Sequence, residues 1–290
     1  MELLFYTVRK AVTLTPLSPF CYIIRQSAMK TPYISVITVT KNAEETIERT
    51  IASVKKQDYS NYEHIIVDAA SDDATMSSVH HYAQSYPVIY LSEPDRGIAD
   101  AFNKSIGLSS GQWILFIGSG DELIHPGVLS HMDSVLKTHE DKLILRGNVI
   151  FKDIKGTKGQ RYRGNFPRYM LKVFMCFSHQ SIFHNHTLFE HYGLFDENLK
   201  IAMDYDLLLR AYDKIKDGYI DYDIAYMLIG GQSQYSAKSA VKDMLTVQLR
   251  HKVLPSSAAY AIYYWTLIKI KIKNLIGYST TFGFKTPHEG

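Results

Sequence analysis

Short, unbroken apolar runs alternate with amphipathic stretches through the first half of the chain. Residues 33–40, YISVITVT, are continuous and rich in β-branched side chains, as in a strand covered on both faces. Glu63–Asp68 (EHIIVD), Val88–Leu91 and Gln112–Ile117 (QWILFI) repeat that pattern. Between these runs Ile47, Ile51 and Val54 recur at helical spacing, with Asn42 and Glu45 placed for a capping box. The polar run SDDAT leads into a helix reaching about Tyr86, and Gly97–Leu108 reads as another. Pro126–Thr138 predicts a helix with proline near its first turn. Strands and helices alternating at these intervals predict an α/β fold on a mostly parallel central sheet.

The rhythm changes after Lys142. Leu143–Phe151 predicts a strand, and the basic, Gly-rich residues 152–168 predict a mobile loop. Phe177–Phe183 (FSHQSIF) and Gly218–Ile229 predict strands. Ala202–Ile215 is amphipathic with acids in its first turn, and Ser236–His251 predicts a helix.

Both ends depart from this pattern. Residues 1–28 are apolar behind Arg9 and Lys10, yet Pro16 and Pro19 interrupt them and no A-x-A site follows. The first convincing element begins just after Met29, so residues 1–29 have two readings, a loosely attached extension outside the fold that lies upstream of the true start, or a short helix packed on the body. Near the other end, the uncharged run Ser256–Ile268 is short for a membrane span of about 20 residues. Its Tyr260, Tyr263, Tyr264 and Trp265 precede Lys269, Lys271 and Lys273, the composition of a helix lying in a membrane interface.

At 290 residues, 46% hydrophobic and 21% charged, the chain has the composition of a globular protein with a substantial core. A net charge of +3 gives no footprint for nucleic acid. Two cysteines, Cys21 and Cys176, make neither a disulfide framework nor a zinc site.

Candidate chemistry gathers at strand ends. No G-x-G-x-x-G follows Val39 and no G-x-x-x-x-G-K-[ST] occurs, so the two common glycine-rich phosphate loops are missing. Asp68 ends the second strand, where a carboxylate can accept from a nucleobase or ribose. Asp121 follows the fourth strand in the turn GSGD and can bind Mg²⁺ or Mn²⁺ with phosphates completing the shell. Two carboxylates so placed outline a nucleoside diphosphate lying across the carboxyl edge of the sheet.

These segments resemble family 2 glycosyltransferases of the GT-A fold, notably bacterial colanic-acid-type surface-polysaccharide transferases. The matching segments are SVITVTKN (35–42), VDAASDDAT (67–75), SEPDRGIADAFNKSIGLSSGQWILFIGSGDEL (92–123), SHQSIF (178–183) and KIAMDYDLLLR (200–210). Together they span roughly residues 33–235, in the family's order. The resemblance implies a hexosyltransferase-type enzyme (EC 2.4) that moves one sugar with inversion. The donor would be a UDP- or GDP-sugar, and the acceptor a hydroxyl of a lipid-linked glycan in surface-polysaccharide synthesis. It places Thr40, Asp68, Asp73, Asp95 and Arg96 around the nucleotide-sugar, Asp121 on the metal, His179 and Gln180 on the acceptor side, and Asp204 as catalytic base. On the residues alone, Asp204 has a second reading as an acid favoured at a helix N-terminus by the dipole, with Asp206 its neighbour.

Departures from the family pattern are specific. Ala69 and Ala70 stand where glycines are usual, and Gly118 and Gly120 at positions that are often Asp or Asn, leaving Asp121 as the one carboxylate for the ion. The Q-x-x-R-W motif of processive enzymes is absent, and GGQSQYS stands at 230–236, which favours one sugar per encounter. The expected division is a GT-A domain over 30–235 and membrane-interface helices over 236–290. The enzyme would then sit in the cytoplasm, peripheral on the inner face of the plasma membrane. Two alternatives stay open on the residues alone: a nucleotidyltransferase, and a non-catalytic nucleotide-sugar-binding or scaffold protein.

Overall fold

The computed structural model describes residues 21–22, 31–229 and 237–275. In chain order these form β1 (Cys21–Tyr22), β2 (Ile34–Thr40), α1 (Ile47–Lys55), β3 (Tyr62–Asp68), α2 (Thr75–Ala83), β4 (Val88–Ser92), α3 (Ile98–Leu108), β5 (Trp113–Phe116), β6 (Glu122–Leu123) and α4 (Val128–Lys137). There follow β7 (Ile144–Lys152), β8 (Lys158–Tyr162), β9 (Ile182–Asn185), α5 (His186–Tyr192), α6 (Met203–Arg210), β10 (Asp217–Leu228), α7 (Ala237–His251) and α8 (Ser256–Leu275). One sheet runs β1-β4-β3-β2-β5-β9-β7-β10-β6, with β8 paired to β7. Pairing is parallel through β4-β3-β2-β5 and again between β7 and β10. Antiparallel β9 joins the two parallel groups. The result is an α/β fold with a mostly parallel sheet flanked by helices.

The unbroken apolar runs follow from two cores, one on each face. Ile37, Ile65, Val67, Ile114 and Phe116 face one core, together with Ala99 and Phe102 of α3. Their neighbours Val36, Ile66, Trp113 and Leu115 face the other, with Ile47, Ile51 and Val54 of α1 and Leu129 and Met132 of α4. Each such side chain contributes roughly 1.5–3 kcal/mol of burial, so a polar residue on either face of these strands would be costly.

Several expected elements change in detail. Asn42 does not cap α1: it takes a left-handed φ of 47°, and its side chain accepts from Asp72 N at 3.1 Å. Glu44 reaches across to Ala74 N (2.9 Å), so these polar groups fasten the β2 and β3 exits together. Residues 152–168 are not a free loop, because β8 pairs antiparallel with β7. Arg161 holds that strand down through Asp221 (2.8 Å) and Asp223 (2.5 Å). The strand expected over Phe177–Phe183 is a single 3-10 turn at His179–Ser181 followed by β9. Ser178 carbonyl accepts from both Ser181 N and Ser181 Oγ, which closes that turn. The helix expected over Ala202–Ile215 ends at Arg210.

The carboxy-terminal helices differ in attachment. α7 is fastened to the body: Gln248 donates to the Val173 carbonyl at 2.8 Å, and Arg250 and His251 both reach Asp206. α8 contacts α7 and leaves Tyr260, Tyr264, Trp265, Ile268 and Ile272 exposed. No helix among the described residues is long and apolar enough to cross a membrane. The 1–29 extension, apart from β1, and the 230–236 segment lie outside the described residues.

Candidate active site

Parallel register brings the candidate residues to one sheet edge. Thr40 is paired with Asp68, and Asp68 with Ser92, so β2, β3 and β4 end level. β5 is the other parallel neighbour of β2, and its chain runs on through Ile117 into the 118–121 turn. Antiparallel β9 pairs with β5 through Phe183 and Leu115. The turn at 179–181 that leads into β9 therefore lies beside the carboxyl end of β5.

At the nucleotide end, Asp68 is fully buried. Its carboxylate accepts from Ser71 N (2.9 Å), Ser71 Oγ and Ser92 Oγ (2.7 Å). Asp73 accepts from Thr75 N (2.9 Å) and Glu44 N (3.1 Å). Both acids thus shape the 69–75 turn. Ala70 in that turn has φ 52°, a left-handed conformation that glycine adopts at lower cost. Thr40 Oγ1 is buried with no partner, leaving one polar atom unsatisfied beside Asp68.

Asp95 accepts from Gly97 N at 3.1 Å. The Arg96 guanidinium is largely exposed and pairs with Asp100 (2.9 Å) and Glu197 (2.6 Å). Asp100, buried at the start of α3, also takes Lys104 at 3.1 Å. It fastens the 93–97 loop to the helix.

The metal-candidate turn is built from α1. Thr50 Oγ1 accepts from Gly120 N and donates to the Asp121 carbonyl, both at 2.8 Å. Ser53, one turn on, accepts from Leu123 N at 3.0 Å. Sequence reasoning passed over Thr50, although a threonine inside the apolar stripe of Ile47, Ile51 and Val54 was a visible signal. Asp121 is buried and accepts from Leu228 N (2.8 Å), Gly118 N (3.1 Å) and the Gln180 side chain. Burial raises its carboxyl to about 7 despite those three donors. Glu122 turns away and pairs with Lys152 at 2.7 Å.

The two glycines of the turn differ in what a side chain would meet. Gly120 has φ +97°, and a Cβ there would lie 2.6 Å from Leu228 Cδ2. A Cβ on Gly118 would lie 2.9 Å from Asp121 Oδ2. Among the described residues no three His, Cys, Asp or Glu side chains converge on one point. A one-carboxylate donor set suits Mg²⁺ or Mn²⁺ completed by water and phosphate oxygens, and does not suit a Ca²⁺ cage.

His179 and Gln180 stand between this turn and Asp204. Gln180 binds Asp121, while His179 Nδ1 is 3.9 Å from Asp204 Oδ2. The His179 ring lies among Phe116, Phe102 and Phe195, with centroids at 4.7, 5.4 and 5.8 Å. Burial holds its pKa well below the ordinary value, and His184 nearby adds to the effect. Its Nε2 is buried without a partner. Asp204 lies in the first turn of α6. Burial raises its carboxyl to about 6, against hydrogen bonding that includes Tyr205 N at 2.7 Å. A carboxylate poised near neutrality is suited to general-base work. Asp206 is occupied by Arg210, Arg250 and His251, which separates the roles of the two acids on this helix.

Comparison with known proteins gives a consistent family. The glycosyl transferase family 2 model matches residues 35–197. A PGL/p-HBAD biosynthesis glycosyltransferase of Mycobacterium bovis is 26% identical over 186 residues, 63% of this chain and 71% of the relative. An uncharacterised glycosyltransferase of Mycobacterium tuberculosis is 30% identical over 185 residues, 62% of this chain and 69% of the relative. Among solved structures, S. aureus TarS aligns with TM-score 0.61 and 20% identity over 81% of this chain and 42% of TarS. A mannosyltransferase from Pyrobaculum calidifontis, in complex with GDP-Man and Mn²⁺, aligns with TM-score 0.59 and 15% identity. It covers 93% of this chain and 82% of that one. These structural likenesses establish the shared fold.

Proposed function

This chain belongs to glycosyl transferase family 2, and we propose that it moves one sugar, with inversion, from a UDP- or GDP-sugar to a hydroxyl of a lipid-linked glycan in bacterial surface-polysaccharide synthesis. The observation that carries this reading is the run Asp121–Gln180–His179–Asp204, which places a buried acid and a near-neutral carboxylate at one sheet edge. Solved neighbours in complex with UDP, UDP-GlcNAc, and GDP-Man with Mn²⁺ support a nucleotide-sugar donor.

In the proposed reaction the Asp204 carboxylate takes the proton of the acceptor hydroxyl. The acceptor oxygen bonds to the anomeric carbon as the bond from that carbon to the diphosphate breaks. The electron pair leaves with the nucleoside diphosphate, and attack from the opposite face inverts the centre. His179, apolar-walled and uncharged at neutral pH, leaves the Asp204 carboxylate without a competing cation beside it. Thr40, Asp68 and Asp73 are assigned to the nucleoside end, Asp95 and Arg96 to the diphosphate loop, and His179 and Gln180 to the acceptor side. Asp121 is the residue that would hold Mg²⁺ or Mn²⁺, which when bound would offset charge on the departing diphosphate.

The membrane part of the proposal rests on α8. At 100° per residue, its exposed Tyr260, Tyr264, Ile268, Ile272 and Trp265 fall on one face, with Lys271 inside that face and Lys269 just beyond its Trp265 edge. An aromatic face that carries lysines fits the interface of an anionic bilayer. A peripheral position on the cytoplasmic face of the plasma membrane, within reach of a lipid-linked acceptor, is part of the same proposal.

Proton NMR of the transferred sugar, made with purified enzyme, candidate donors and a lipid-linked acceptor, tests the reaction. An anomeric configuration opposite to the donor's is expected. Retained configuration, or a product formed equally well without any lipid-linked acceptor, would overturn the proposal.

A further inference from the structure

A partly open cavity lies on the far side of the metal-candidate turn. It is bordered by α1, by β6 with its exit, and by the β7–β8 connection, and measures about 520 Å³. That volume is in the range of small-ligand pockets, roughly 300–1,000 Å³. Arg49, Lys56, Lys152 and Lys155 line it, against the single acid Glu122. Four cations and one acid give a local charge of +3, equal to the net charge of the whole chain. Such crowding of one sign in a concave wall raises self-repulsion and focuses positive potential into the cavity.

The walls hold this charge in place. Arg49 donates to the Ile154 carbonyl at 2.8 Å, which ties the tip of the β7–β8 connection to α1. Lys152 pairs with Glu122 at 2.7 Å and sits over the Tyr226 ring, 5.1 Å from its centroid. Glu122 thus faces the cavity, whereas its neighbour Asp121 faces Leu228 and Gln180. The cavity is therefore separate from the site built on Asp121 and Asp204, and lies one residue away from it along β6.

We propose that this cavity is an anion site that takes a phosphate or diphosphate group. Lysines act there as point charges around the phosphate oxygens, and binding relieves the repulsion among them. The group would come either from a phospholipid-linked molecule or from free phosphate. Binding at this site requires no sugar transfer, so it is read directly and stands apart from the proposed reaction.

Isothermal titration of the full chain with inorganic pyrophosphate, in EDTA and low salt, tests the site. Saturable one-to-one binding is expected, weakened at least about tenfold in Lys56→Gln/Lys152→Gln and falling steeply with added salt. Lys214→Gln, at an exposed position outside both sites, is expected to bind as the wild type does. Lys56→Glu, at an exposed position, gives a second variant should loss of the Lys152–Glu122 pair disturb folding, and it too is expected to lose binding. Geranyl diphosphate as a second probe separates the sources: tighter binding than pyrophosphate assigns a lipid-linked group, and equal binding assigns free phosphate. Absence of saturable binding, or full affinity in both lysine variants, would overturn the proposal.

Discussion

Replacing Asp204 by asparagine is expected to make the protein more stable and far less active. Burial lifts this carboxyl from 3.8 to about 6. The native state then binds the proton more tightly than the unfolded chain does. Its contribution to stability is whole below the unfolded value and is lost as pH rises through the folded one. Above about pH 6, at about 1.36 kcal/mol per unit, the charged form costs the fold about 3 kcal/mol. A side chain 20% exposed is partly hydrated, so roughly 1–3 kcal/mol is expected. Asparagine keeps an oxygen for Tyr205 N, now at 2.7 Å, and buries no charge. Urea unfolding at about pH 8 should show this gain for Asp204→Asn, and at about pH 4 the gain should vanish. Initial transfer rates should fall about 10²- to 10⁴-fold, the usual worth of a general base. A variant no more stable than wild type at the higher pH would refute the burial argument. A transfer rate within about threefold of wild type would refute the role as base.

Three further outcomes follow from the same geometry. The rate of the wild type should rise with pH through about 6 and then level, since Asp204 acts as base only when deprotonated; a rate independent of pH across that range would count against it. Asp121→Asn keeps one acceptor oxygen, enough for Leu228 N or Gly118 N but not for both, and removes the charge. Calorimetry should show nucleoside diphosphate binding that no longer responds to Mn²⁺, whereas in wild type that response should grow as pH rises through about 7. Gly120→Asp, which restores an acid common in the family, should not rescue a second metal ligand. Its φ of +97° and the 2.6 Å approach to Leu228 Cδ2 should instead cost roughly 1–3 kcal/mol, read as a lower unfolding temperature.

The first half of the fold was legible because β2, β3, β4 and β5 are buried on both faces, and such strands leave unbroken apolar runs. β8 was not, because its sequence is basic and Gly-rich and its hold comes from Arg161 meeting Asp221 and Asp223, some sixty residues downstream. The capping box at Asn42 failed for a related reason. Its polar groups are spent on Ser71 and Asp72, across the sheet edge. In the site, the positions of Asp121 and Asp204 were readable from motif order. Their link through Gln180 and His179 was not, since it depends on β9 running antiparallel beside β5. Nor could the sequence say why Gly118 and Gly120 replace acids. At Gly120 the reason lies in its φ of +97° and in Leu228 at the end of β10, whereas at Gly118 the near neighbour is the Asp121 carboxylate itself.

Release of nucleoside diphosphate is the most direct measurement of the central claim. Purified wild type and Asp204→Asn would each be given UDP- and GDP-sugars, Mn²⁺ and a lipid-linked acceptor, with the free nucleoside diphosphate followed over time. Acceptor-dependent release from one donor by the wild type, with the variant binding that donor but releasing at least about a hundredfold less, is the expected result. Donor binding by the wild type without release, or equal release by both proteins, would contradict a transferase that works through Asp204.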